Sequence, residues 1–244
     1  STVGYEKLTN WSLSIEDEDQ FVKMLLDGQP EPPKYFAMMK KLNKVDRPLL
    51  VEVPTHPTIS IEEGLAKLDS ILVDTRNKVE FAKGHVKGAI NIQNNNSLAN
   101  WAGWMLPYDK NLVIVAEEGR QEEITRKLMR IGMDQIEAFV TDLSTVPLSE
   151  TKLVDADTVE SWKDKEDAVL FDVRGKTEFE TAHIPGAIHK FIGNLPKKLP
   201  TEYKDKKIII QCQSGDRATI ATSFLEKNGF EQVYNYAGSF IDWK

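Results

Sequence analysis

Leu170-Phe171-Asp172-Val173-Arg174 is followed by Glu178-Phe179 and then by His183-Ile184-Pro185-Gly186-Ala187-Ile188. The same run stands 98 positions earlier as Leu72-Val73-Asp74-Thr75-Arg76, Glu80-Phe81 and His85-Val86-Lys87-Gly88-Ala89-Ile90. Further on, Gly132-Met133-Asp134-Gln135-Ile136 answers Gly229-Phe230-Glu231-Gln232-Val233 at an offset of 97. So many matches at nearly one offset mean a duplicated unit. Each copy approaches 100 residues, enough for a small domain.

Within each copy, short apolar runs alternate with helical stretches. Ile71 to Val73, Leu112 to Ala116 and Ile136 to Val140 read as strands in the first. Val169 to Phe171, Lys207 to Gln211 and Gln232 to Tyr236 read as strands in the second. Glu122 to Ile131 and Ala218 to Lys227 read as helices. Ser60-x-x-Glu63 and Asp157-x-x-Glu160 have the capping-box pattern and are expected to start helices. Near-continuous apolar strands alternating with helices predict an α/β fold: tandem domains, each a parallel sheet flanked by helices. A short helical segment precedes them, with Phe21 to Leu26 stopped at Gly28 and a second helix over Pro33 to Lys41. Two helices in about 50 residues are marginal alone, so the segment is expected to dock on something else. The chain divides into 1–53, a linker 54–59, a first unit 60–145, a linker 146–150 and a second unit 151–244.

The chemistry gathers at Cys212-Gln213-Ser214-Gly215-Asp216-Arg217, between the strand ending at Gln211 and the helix beginning near Ala218. Such a loop turns successive N–H groups inward as a nest, and the helix adds its positive end. Both stabilise negative charge on sulfur. Gly215 supplies backbone freedom, and Arg217 a planar donor fork for an anion. A buried structural cysteine is the bland alternative.

Here the sequence resembles the rhodanese (sulfurtransferase) family, through this loop, the Asp-x-Arg-x-x-x-Glu-Phe-x-x-x-His-Ile-Pro-Gly-Ala segment and Gly238-x-x-x-x-Trp243. The resemblance implies that Cys212 is the sulfur-accepting nucleophile and that Gln213, Ser214, Gly215, Asp216 and Arg217 cradle its persulfide. Related phosphatases and arsenate reductases have a loop one residue longer, sized for a tetrahedral oxyanion; the tighter loop here favours sulfur.

In the first copy the position of Cys212 is taken by Glu117, and Glu118-Gly119-Arg120 completes a loop two residues shorter. A carboxylate cannot accept sulfane sulfur, so 60–145 is expected to be an inactive rhodanese-like domain beside the catalytic one at 151–244. His183 recurs as His85 in the inactive copy, which argues for a role in the fold rather than in catalysis. Asp172, Arg174 and Glu178 read as a structural charge network, with Arg174 and Glu178 at helical spacing. Four histidines and one cysteine offer no metal cluster, and no metal site is expected.

Composition bounds the rest. The 244 residues carry a net charge of −7 and are 41% hydrophobic and 28% charged. That is globular, and it argues against a phosphate-backbone binder, so no nucleic acid is expected. No apolar run approaches the roughly 20 residues needed to cross a bilayer, so no membrane is expected either. One cysteine forms no intrachain disulfide, and Ser1-Thr2-Val3-Gly4-Tyr5-Glu6 lacks the pattern of a secretion signal. A cytoplasmic setting is the expectation.

Residues 1–10 and Gln29-Pro30-Glu31-Pro32-Pro33-Lys34-Tyr35-Phe36 are similar to the C-terminal end of metallo-β-lactamase-fold persulfide dioxygenases. Their His-x-His-x-Asp-His metal motif is absent from this sequence. The whole chain thus resembles the later part of persulfide dioxygenase–sulfurtransferase fusions of bacterial sulfide detoxification. That resemblance makes 1–53 a remnant of the dioxygenase domain and the chain a fragment of a longer protein. It implies non-haem iron in the missing dioxygenase domain and no cofactor in the fragment. Implied partners are a small-molecule persulfide, sulfite or thiosulfate, the dioxygenase domain, and a second copy in a homo-oligomer. The implied reaction moves sulfane sulfur from a persulfide or thiosulfate through Cys212 to sulfite, forming thiosulfate. Two other readings stand beside it: a scaffold or oligomerisation module for a dioxygenase, and a sulfur relay to a protein acceptor.

Overall fold

The computed structural model describes residues 1–29, 31–47 and 49–243; Pro30 of the dioxygenase-like stretch and the terminal Lys244 of the second unit lie outside them. Contacts divide the chain at Pro32/Pro33, inside the segment expected to end at residue 53. The first unit holds α1 (Val3–Thr9), a single 3-10 turn (Trp11–Leu13) and α2 (Glu18–Leu26). Asp17 caps α2 by accepting from the Gln20 N–H at 2.7 Å. Neither helix buries a residue, and Leu8, Leu13 and Leu26 are exposed.

The second unit opens with α3 (Tyr35–Leu42), which packs against the first sheet domain. Tyr35 lies against Gly103 and Leu42 against Gly132, in space that any side chain at those glycines would need. Next come α4 (Ile61–Leu65), β1 (Ile71–Asp74), α5 (Lys78–Lys83), β2 (Ile90–Asn91), α6 (Leu98–Met105), β3 (Leu112–Val115), α7 (Gln121–Met129) and β4 (Ile136–Val140). Ser60 and Glu63 form the expected capping box at α4. The strands run parallel in the order β2-β1-β3-β4, and Thr58 adds a single parallel bridge to Phe139.

The second copy follows the same plan with β5 (Leu153–Val154), α8 (Ala156–Trp162), β6 (Ala168–Asp172), α9 (Lys176–Thr181), β7 (Ile188–His189), β8 (Lys207–Gln211), α10 (Asp216–Lys227), β9 (Val233–Tyr236) and α11 (Ser239–Asp242). Its five parallel strands are ordered β5-β9-β8-β6-β7. The start of α8 corrects the capping expectation: Asp155, not Asp157, is the cap. The backbone is extended at Asp155, and its carboxylate accepts from the Thr158 N–H at 2.8 Å, so Asp157 and Glu160 fall inside the helix.

The central strands bury both faces, as their unbroken apolar sequences require: β3, β6 and most of β8 are fully covered. The two domains share one hydrophobic core running from Val73 and Ile114 to Phe171, Ile210 and Ala218. Helix α10 lies against β2, the edge strand of the first sheet, and Ser223 Oγ accepts from the Asn91 N–H at 3.0 Å. An open edge is thereby closed by the neighbouring domain. Trp104 meets Phe191 edge-on at 5.2 Å, and His85 Nε2 faces Glu226 on α10 at 3.9 Å.

Candidate active site

Order along the second sheet reverses between β6 and β8, and ligands of open α/β sheets bind outside the strand ends at such a reversal. The loop after β8 stands there. Cys212 is its first residue and is 1% exposed. The Gly215 N–H donates to Sγ at 3.1 Å. Gly215 has φ +96°, and a Cβ on it would lie 2.8 Å from the Ala237 carbonyl oxygen. Only glycine fits, because the left-handed backbone and the close approach both exclude a side chain. Gly215 also caps the 12-residue α10, whose positive end faces the loop.

Ser239 completes the surroundings of the sulfur. It is wholly buried at φ +55°, accepts from the Cys212 N–H at 3.2 Å and brings Oγ within 3.8 Å of Sγ. Its hydroxyl proton can serve either Sγ or the Tyr236 carbonyl at 2.9 Å. A non-glycine residue in this backbone region is strained, and such strain gathers at working sites. Sequence reading stopped at Gly238 and passed over Ser239; a hydroxyl residue directly after that glycine was the available signal.

The remaining loop residues split into distinct roles. Gln213 Oε1 accepts from Arg174 Nη1 at 3.1 Å. Ser214 is exposed, and its carbonyl, like the Asp216 carboxylate, faces Lys78 of the first domain. Arg217 does not hold a free fork: both of its terminal nitrogens donate to Glu178, at 2.6 and 2.8 Å. The Arg217 bond holds Glu178 below the usual carboxylate range, against partial burial. Burial opposes the charge on Arg217, but Glu178 and the Cys212 sulfur more than offset it and raise its pKa.

This pairing differs from the helical-spacing expectation, which joined Arg174 to Glu178. Arg174 instead grips Asp172 through Nε and Nη2 and donates to the Ala182 carbonyl at 2.7 Å. Arg76 does the same in the first domain, to Asp74 and the Gly84 carbonyl. The Asp-x-Arg pair therefore ties a strand end to the close of the following helix in both copies. Arg174 also stacks on Phe240 at 4.1 Å, which braces α11 beneath the loop. His183 Nδ1 faces the Phe179 carbonyl at 2.8 Å and its ring stacks on Phe179; His85 repeats this with Phe81 at 2.9 Å. A carbonyl partner requires the proton on Nδ1 in the neutral ring.

In the first domain, Glu117, Glu118, Gly119 and Arg120 are exposed, and Arg120 pairs with Glu123 at 3.1 Å. An open hollow of about 250 Å³ lies there, lined by Thr75, Asn77, Gln93, Glu117, Arg120 and Glu123. Among the described residues, no three His, Cys, Asp or Glu side chains converge as a metal site, and no helix is long and apolar enough to cross a membrane.

The rhodanese-like domain family matches residues 60–142 and 155–244. A tRNA uridine(34) hydroxylase from Cronobacter sakazakii is 31% identical over 138 residues, covering 54% of this chain, and the chain spans only 39% of that protein. A putative sulfur carrier protein from Bacillus subtilis is 27% identical over 173 residues, which is 70% of this chain and 88% of the relative. A thiosulfate sulfurtransferase from Pseudoalteromonas translucida is 36% identical over 81 residues, 33% of this chain and 77% of the relative. Among solved structures, a metallo-β-lactamase from Staphylococcus aureus superposes with a TM-score of 0.51 at 32% identity, over 58% of this chain and 39% of that one. Two family matches that together take in most of the chain, on two sheets of one plan, make this protein a member of the rhodanese-like family.

Proposed function

We propose that the second domain is a sulfurtransferase working by double displacement through Cys212. The observation that carries this is the Gly215 N–H aimed at Sγ from the start of α10, a cradle for a thiolate or for the terminal sulfur of a persulfide. Relatives named for thiosulfate sulfurtransfer and sulfur carriage support a sulfur-transfer role. In the first half-reaction, the Cys212 thiolate attacks the outer sulfur of a low-molecular-weight persulfide. A new S–S bond forms, the old one breaks, and the donor leaves as its thiolate. In the second, sulfite attacks the outer sulfur of the Cys212 persulfide, thiosulfate leaves, the persulfide proton passes to solvent, and the Cys212 thiolate is restored. Thiosulfate can load the enzyme by the reverse of this step. The Arg217–Glu178 pair sets the charge beside the sulfur, and Ser239 offers a second donor to it.

The first domain lacks a nucleophile at Glu117 and is read as catalytically inactive. The likeness to a metallo-β-lactamase structure supports reading this chain as part of a fusion with a metallo-β-lactamase-fold domain, and the resemblance of residues 1–10 and 29–36 is what makes that domain the dioxygenase partner of a sulfide-detoxification protein in this proposal. The iron implied for that domain does not fit the described residues, and no step runs through it. The likeness to a sulfur carrier protein favours one alternative acceptor, a protein thiol in place of sulfite.

Intact mass after excess persulfide, before and after sulfite, tests the reaction. A gain of one sulfur, lost to sulfite as thiosulfate appears and absent in Cys212→Ser, supports it. No adduct and no thiosulfate would refute it and leave the scaffold reading.

A further inference from the structure

We infer that Lys78, a residue of the inactive first domain, is a positioning residue for the sulfur-transfer loop of the second. The inference rests on the sulfurtransferase reading above. Lys78 is the first residue of α5, after the Asn77 cap, and its own N–H donates to Gln93 Oε1 at 2.9 Å. Its ammonium crosses the domain boundary and donates to the Ser214 carbonyl at 2.6 Å and to Asp216 Oδ1 at 2.7 Å. The side chain is 33% exposed, so these bonds are partly shielded from water.

The target of the first bond is what gives it meaning. The Ser214 carbonyl and the Gly215 N–H belong to one peptide group. A trans peptide is planar, with its oxygen and hydrogen on opposite sides. A cation holding the Ser214 oxygen therefore turns the Gly215 N–H the other way, and that N–H is the donor to Sγ at 3.1 Å. Charge on the oxygen also polarises the group and strengthens the N–H as a donor. The Asp216 carboxylate keeps the ammonium in place, and the packing of α10 on β2 fixes the two domains around the contact. The repeat mate of Lys78 makes the contrast: Lys176 is 77% exposed and, among the described residues, pairs with Glu180, at 3.6 Å, on its own helix. Of the two repeat-related lysines, Lys78 is the one bonded to the sulfur loop, and its own copy carries Glu117 in place of the cysteine.

The test uses the full chain, with Lys78→Met, Lys78→Arg and, as a control, Lys176→Met. Transfer from a low-molecular-weight persulfide to sulfite, and from thiosulfate to cyanide, gives kcat and KM, iodoacetamide at pH 7.5 gives the reactivity of Cys212, and thermal melting gives stability. Lys78→Met is expected to lower kcat about tenfold with KM within about twofold, since a preorganised donor acts on the reacting charge rather than on ground-state binding. Alkylation slows in parallel, Lys78→Arg restores most of both, and Lys176→Met matches the wild type. An unchanged kcat, or a loss confined to KM, overturns the inference. So does a loss that Lys78→Arg fails to recover while the melting midpoint stays at the wild-type value. If Lys78→Met melts early, the Lys78→Arg comparison decides. If the wild type moves no sulfur, the proposed reaction fails on its own, and the alkylation rates still judge Lys78.

Discussion

Replacing Glu226 with glutamine should stabilise this protein at alkaline pH and do nothing at acid pH. Glu226 lies on α10 where the two domains meet, with its side chain 26% exposed. Burial pushes its carboxyl up to about 7, with Lys152 pulling weakly the other way. A carboxyl whose folded value is raised favours the folded state while it is protonated. That contribution is complete below the unfolded value of 4.5 and is lost as pH climbs through about 7. The rise of some 2.5 units at about 1.36 kcal/mol each, reduced for partial exposure, is worth about 2–3 kcal/mol. Glutamine keeps the shape of the neutral acid and cannot ionise. Urea unfolding of wild type and Glu226→Gln at pH 5 and pH 8.5 measures the difference. An offset under about 1 kcal/mol at pH 5, near the start of that window, and a variant about 2–3 kcal/mol more stable at pH 8.5, are expected. Burial lowers the pKa of His85, whose Nε2 faces Glu226 at 3.9 Å, and gives the opposite sign, stability lost as pH falls below 6.5; at pH 8.5 that contribution is full in both proteins, so the alkaline offset reports Glu226. A variant no more stable at pH 8.5, or an offset equal at both pH values, would refute the reasoning.

Other predictions follow from the loop. Gly215→Ala forces a Cβ to within 2.8 Å of the Ala237 carbonyl at φ +96°, so a loss of about 1–3 kcal/mol in denaturant unfolding and at least a tenfold drop in sulfur transfer are expected. Arg217→Lys gives up the two-pronged bond to Glu178, and steady-state assays should show transfer from thiosulfate falling about tenfold or more. Ser239→Gly suits the backbone at φ +55° but removes the hydroxyl near Sγ; unfolding should change by under about 1 kcal/mol while persulfide loading slows several-fold.

Much of the architecture could be read from residues. The 98-residue offset exposed two copies of one unit, and β4 and β8 match the strands expected from their apolar runs. Local patterns carry such information because a buried strand needs an unbroken apolar run. What escaped the sequence is what depends on distance in space. Arg174 and Glu178 stand four apart, yet Gly175 breaks the path between them and Glu178 turns to Arg217, 39 residues on. Lys78 sits 138 residues from Asp216, and no local periodicity records that meeting. Ser239 stands in the chain as a hydroxyl directly after Gly238, but its nearness to Sγ exists only in the fold. The helix at Tyr35–Leu42 was expected to dock, and the glycines that receive it, Gly103 and Gly132, look like ordinary spacers in the text of the chain.

The closure of β2 by α10 also bears on how duplicated enzymes age. One copy carries Glu117 where the other carries its cysteine and, on the proposed reading, is free in principle to drift. Yet Asn91 holds the helix that begins at the other copy's sulfur loop, and an apolar core without a seam joins the two. A change on the first copy's edge strand would be felt at Cys212, so, on the sulfur-transfer reading proposed above, selection at that cysteine reaches into a domain that has none.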